Sequence, residues 1–134
     1  PPIAATASAR FQYLHACTRP GDRLLITGMT PFDVPYFTER PPAGGHLYWQ
    51  EGWAADAESE ARSLALLERQ SVPFAVSNRD PVMHDFAHYP RIRAYLAAHY
   101  AEVPGTNGQL LVDTRLTRVR QYGPDGLPCF QRAE

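Results

Sequence analysis

The sequence predicts an α/β fold: one layered domain with a small central sheet of about four to five strands flanked by helices. It is Rossmann-like in outline and ends in a C-terminal hairpin. Three observations lead there. Helical periodicity alternates with short apolar runs along the chain, and the connections between them are short. The composition, 44% hydrophobic and 20% charged over 134 residues, fits a single globular unit with its own core.

The elements follow in order. Ala7 to Thr18 puts Phe11, Leu14 and Cys17 on one helical stripe, which Pro20-Gly21 stops. Arg23 to Gly28 is a short apolar run closed by glycine, suited to a buried strand. Met29 to Arg40, broken by Pro31 and Pro35, holds a helical turn or two. Pro41 to Gly45 is a turn, and His46 to Gln50 reads as a second strand.

Ala57 to Gln70 is the strongest helix. Asp56 stands as its N-cap, Glu58 and Glu60 occupy the first turn and Arg69 the last, all in accord with the helix dipole. Ala57, Ala61, Leu64 and Leu67 form its apolar stripe. Val72 to Ser77 is a strand with Pro73 at its entry, where a missing N–H does least harm. A polar loop, Asn78 to His88, leads to Pro90 at the start of a helix striped by Ile92, Tyr95, Leu96, His99 and Tyr100. Leu110 to Val112 is a strand. Thr117 to Tyr122 and Leu127 to Gln131 form the hairpin around Gly123-Pro124-Asp125-Gly126.

Charge and length exclude some functions. A formal net charge of −1 lacks the basic footprint of a nucleic-acid binder, although all thirteen basic residues are arginine. No apolar run reaches the ~18 residues that span a bilayer. The opening Pro1-Pro2, with no initiator methionine or signal region, is what a piece cut from a larger protein at a linker would show.

The chemical motifs are sparse. Gly28 closes a strand, yet Met29-Thr30-Pro31-Phe32-Asp33 follows with no second glycine, and no lysine exists for a phosphate loop. No cofactor is expected. His84 and His88 have the i,i+4 spacing that suits zinc, but Asp85 replaces the usual glutamate, and Pro81 and Pro90 crowd the segment; no metal is expected. Serines 8, 59, 63, 71 and 77 show no nucleophile elbow, and the carboxylates near Asp56 already serve a helix start. No catalytic residue is assigned.

Two features remain. His46, Tyr48, Trp49 and Trp53 gather both tryptophans between glycines, and such side chains suit a ligand or membrane-surface contact. The competing reading sends one of them, Trp49 for instance, into the core. Cys17 and Cys129 allow one disulfide in an oxidising compartment. They could equally be two packed thiols, since Cys17 lies on an apolar stripe.

The run Phe11-Gln12-Tyr13-Leu14 through Cys17-Thr18-Arg19-Pro20-Gly21-Asp22-Arg23-Leu24-Leu25-Ile26-Thr27-Gly28 resembles the start of a known domain type. So do Phe37 to His46, Leu67 to Val76 and Tyr89-Pro90 to Tyr100. Together they resemble the C-terminal extracytoplasmic domain of bacterial GT-C type membrane glycosyltransferases, the dolichyl-phosphate-mannose protein mannosyltransferase-like family. The resemblance implies a parent enzyme that moves a sugar from a polyprenyl-phosphate donor to an envelope acceptor, at the periplasmic face of the inner membrane. It implies a catalytic carboxylate in a loop upstream of this segment, so no catalytic residue carries over. The expected partners are the transmembrane part of the same chain and a glycan acceptor or lipid surface. A free-standing binding module for a small sugar or anionic ligand is the alternative. The polar tail from Arg115 to Glu134 departs from the pattern.

Overall fold

Strands buried on both faces need cover from two layers, and the strand order provides for that. The computed structural model describes residues 8–28, 33–47, 49, 52–123 and 127–131. In the central sheet, β1 (Leu24–Thr27) runs parallel to β2 (Phe74–Ser77). β2 pairs antiparallel with β4 (Leu110–Asp113), which pairs antiparallel with β3 (Tyr100–Glu102). The order is β1-β2-β4-β3, a mixed sheet. A second, two-stranded sheet joins β5 (Thr117–Tyr122) to β6 (Leu127–Gln131).

Alternate strand residues face opposite layers. Leu24, Ile26, Phe74, Val76, Leu110 and Val112 pack with Tyr13, Leu14 and Cys17 of the first helical segment, Val34 and Cys129. Leu25, Ala75 and Leu111 pack with Trp49, Leu67, Val82, Phe86, Tyr89, Ile92 and Leu96. The first layer is thus α1 (Ala9–Ala16), α2 (Asp33–Thr38) and the hairpin; the second is α3 (Ala57–Arg69), α4 (Val82–Asp85) and α5 (Pro90–His99).

Local signals account for most boundaries. Ser8 caps α1 by accepting from Phe11 N at 3.3 Å, and Asp56 caps α3 by accepting from Ser59 N at 3.0 Å. Pro90 opens α5 at a position where the absent N–H is not needed.

Four readings change. Among the described residues of His46 to Gln50 no strand is formed: Trp49 alone makes a bridge, to Thr27, and Gly44 and Gly45 take left-handed backbone just before it. The loop from Asn78 to His88 contains α4, and Val82 and Phe86 are fully buried there. Tyr100 ends the helix and starts β3, since its backbone pairs with Asp113 and its hydroxyl donates to Val72 O at 2.6 Å. On α3 the buried positions are Glu60, Ser63 and Leu67, whereas Ala57 is exposed. The helix turns this face toward α5, where Glu60 accepts from the backbone N–H of Arg91 (2.9 Å) and Ile92 (3.2 Å). That carboxylate supplies the cap that Tyr89, the N-cap residue of α5, does not.

Candidate functional site

After α2 the chain runs along the outer edge of β1, touching it at Pro42–Leu24 and Trp49–Thr27. The second bridge includes Trp49 N donating to Ile26 O at 3.0 Å. This lays a loop over an edge strand that would otherwise expose unpaired backbone groups. Gly44 is required here: its φ is +75°, and a Cβ would come within 3.0 Å of the Trp49 ring and 3.3 Å of Leu67.

Trp49 is 3% exposed and belongs to the core. Its ring meets Phe86 and Tyr89, each at 5.3 Å, and His46 at 4.6 Å edge to face. Its indole Nε1 is buried and has no hydrogen-bond partner among the described residues. The segment after α2 and the segment after β2 therefore meet in one aromatic cluster. Ligands of α/β sheets commonly bind beyond the carboxyl ends of parallel strands.

Trp53 stands at the rim of this cluster, 56% exposed. Three features hold it there. Gly52 (φ +77°) and Ala54 (φ +52°) bracket it in left-handed backbone, and at alanine that conformation costs about 1–2 kcal/mol. The Tyr89 hydroxyl donates to the Trp53 carbonyl oxygen. The His46 ring packs against the indole at 5.1 Å, in a T-shaped contact. An exposed indole held on strained backbone is the kind of local cost that accompanies function.

His46 links the two indoles and is half-buried. Its Nε2 lies 3.1 Å from Ser63 Oγ, and burial pushes its pKa below the usual histidine value. A histidine beside a serine is a possible base and nucleophile. With Ser63 only 4% exposed, however, substrate has no path to the hydroxyl, and the pair serves to orient the ring.

The charge of the sequence that carries the shelf is one-sided. From Pro41 to Ala61 the sequence has Glu51, Asp56, Glu58 and Glu60 and no arginine. Asp56 and Glu58 are exposed, while Glu60 is buried as the cap of α5. The Ser59 backbone N–H holds the Asp56 carboxyl below its usual range, and Arg62 pairs with Glu58 at 2.9 Å. Elsewhere, buried Asp113 accepts from Arg115 Nε and Nη2, each at 2.9 Å.

The other expected residues are placed as follows. Tyr48 lies outside the described residues. Cys17 and Cys129 form a disulfide with a Cα–Cα separation of 5.0 Å, joining the end of α1 to β6, and both are buried. α4 stops at Asp85, so His84 and His88 do not share one helical face. Among the described residues no three His, Cys, Asp or Glu side chains gather as a metal site.

Two features escaped sequence reasoning. One is the buried cap at Glu60, whose place in a helical first turn already gave it a local role. The other is a groove of about 400 Å³ between α1 and the turn after β3, lined by Ala9, Arg10, Tyr13, Val103, Pro104 and Leu127. Arg10, which lines it, donates to Gln109 Oε1 at 2.9 Å. Comparisons with protein-family models, with curated proteins and with solved structures find no match to this chain.

Proposed function

We propose that this chain is an accessory extracytoplasmic domain of a bacterial membrane glycosyltransferase, standing at the periplasmic face of the inner membrane. The parent moves a sugar from a polyprenyl-phosphate donor to an envelope acceptor. The domain does no chemistry itself. It packs beside the transmembrane part of its own chain and offers the Trp53–His46 shelf to an acceptor glycan or a lipid surface.

The observation that carries the extracytoplasmic part is the Cys17–Cys129 disulfide, because such bridges form and persist in oxidising compartments. The glycosyltransferase part is supported by the resemblance of the segments from Phe11 to Gly28, Phe37 to His46, Leu67 to Val76 and Tyr89 to Tyr100. The buried carboxylates fit a domain without chemistry of its own, since Glu60 caps a helix and Asp113 holds Arg115.

The surrounding open reading frame tests the reading. Ten or so apolar segments of about 20 residues ahead of Pro1 support it. A gene that encodes this unit alone, or fuses it to a cytoplasmic enzyme, overturns it. The presentation of Trp53 equally favours a free-standing module that binds a small sugar, and a gene of one unit would leave that second reading in place.

A further inference from the structure

We infer that the Trp53–His46 shelf is a binding site for a neutral sugar ring, with the exposed indole of Trp53 as the stacking platform. The inference rests on the reading of this shelf as the contact face and chooses between its two ligands, glycan and lipid.

The first argument is preorganisation. Left-handed Gly52 and Ala54, the Tyr89 hydroxyl on the Trp53 carbonyl and the His46 ring against the indole fix the platform before any ligand arrives. A fixed aromatic surface loses little side-chain freedom on binding. One face of a pyranose is made of C–H groups, whose partial positive charge suits the negative face of an aromatic ring. Its hydroxyls, spread around the ring edge, need polar partners. Asp56, three residues along the chain, is an exposed carboxylate.

The second argument is charge. Attraction to an anionic lipid surface needs arginine or lysine close by. The sequence from Pro41 to Ala61 has none, and Arg62 just beyond is already paired with Glu58. Insertion into a membrane also needs apolar area. Among the described residues of this segment the exposed large apolar side chains are Trp53 and Leu47, the latter 38% exposed. One exposed indole and a partly exposed leucine, in a stretch of sequence without arginine or lysine, favour a neutral, hydroxyl-rich ligand over a lipid surface.

The third argument separates a sugar from a cationic ligand. A quaternary ammonium binds best inside a cage of several aromatic faces. Among the described residues of this cluster Trp49 is buried and His46 meets Trp53 in a T-shaped contact, so the Trp53 indole is the one open aromatic platform among them.

The test is a titration of the disulfide-bonded 134-residue chain, followed through the two indole N–H resonances. The probes are neutral gluco-, manno- and galacto-oligosaccharides, choline, and phosphatidylglycerol vesicles. The expected result is a saturable shift of the Trp53 resonance with at least one neutral oligosaccharide, while the buried Trp49 resonance stays in place. Trp53→Ala should weaken that affinity at least about tenfold, and Trp53→Tyr, which keeps a ring, should weaken it less. The proposal is overturned if no oligosaccharide moves the Trp53 resonance. It is equally overturned if choline or vesicles alone move it, or if Trp53→Ala binds as the parent chain does. The outcome is independent of the gene context that tests the glycosyltransferase reading, so each can fail without the other.

Discussion

The two faces of the sheet are closed by different means. Toward α1 and the hairpin, a covalent bond joins residues 112 apart in sequence. Around it sit the Tyr13 hydroxyl donating to Pro128 O and Arg120 Nη2 donating to Ala16 O at 2.8 Å. The Tyr13 environment is dry enough to push its pKa up to about 12. Toward α3 and α5 no disulfide exists; rings pack edge to face and one carboxylate caps a neighbouring helix. The first face depends on closure of a long loop, the second on side-chain fit. The exposed indole belongs to the second, where loops end in shape-determined contacts.

The largest expected effect lies on the tethered face. Among the described residues β5 and β6 pair only with each other, and β5 is exposed along most of its length, so the hairpin leans on its tether. Removing the bridge with the double variant Cys17→Ser/Cys129→Ser should cost about 4–5 kcal/mol in the chain-entropy model. Denaturant unfolding measures it, and an unchanged midpoint would show that the hairpin docks without the tether. On the other face, Glu60→Ala should cost about 1–3 kcal/mol by leaving the Arg91 and Ile92 N–H groups unpaired. Glu60→Gln, which keeps an acceptor oxygen, should cost less in the same assay.

A smaller effect is pH-dependent and belongs to the aromatic face. His46 has a folded pKa below its unfolded value because burial disfavours the cation. Above the unfolded value, near 6.5, both states are neutral and the group adds no pH dependence. As pH falls through that value the unfolded chain takes up a proton that the folded one resists, so stability drops until the folded pKa is passed. Melting curves at pH 7 and pH 5 should therefore show a smaller decrease for His46→Gln than for the parent chain.

What the sequence made legible follows the range of the interaction. Asp56 as a cap, the runs at β1, β2 and β4, and the hairpin around Gly123 rest on neighbours a few residues away, so pattern alone reveals them. The single bridge at Trp49 was not legible, because the aromatic residues from His46 suit a strand while Gly44 and Gly45 before them take left-handed backbone. Glu60 has a local explanation in α3 that hides its partners, 31 and 32 residues away. Cysteine spacing likewise carried no sign of whether Cys17 and Cys129 meet. At the candidate site, Trp49 and Trp53 stand four positions apart in sequence, yet one is buried and the other exposed.

A paired measurement, whose Trp53 arm carries the smallest expected effect, is the sharpest test of the account's centre, that Trp49 holds the fold and Trp53 is displayed for contact. Unfolding free energies of Trp49→Ala and Trp53→Ala, measured side by side in denaturant, read it directly. Truncating the buried indole should cost about 3–5 kcal/mol. Truncating the exposed one should cost under ~1 kcal/mol, since the Tyr89 bond to the residue 53 carbonyl survives the change. Equal losses in the two variants would contradict the account and make Trp53 part of the core.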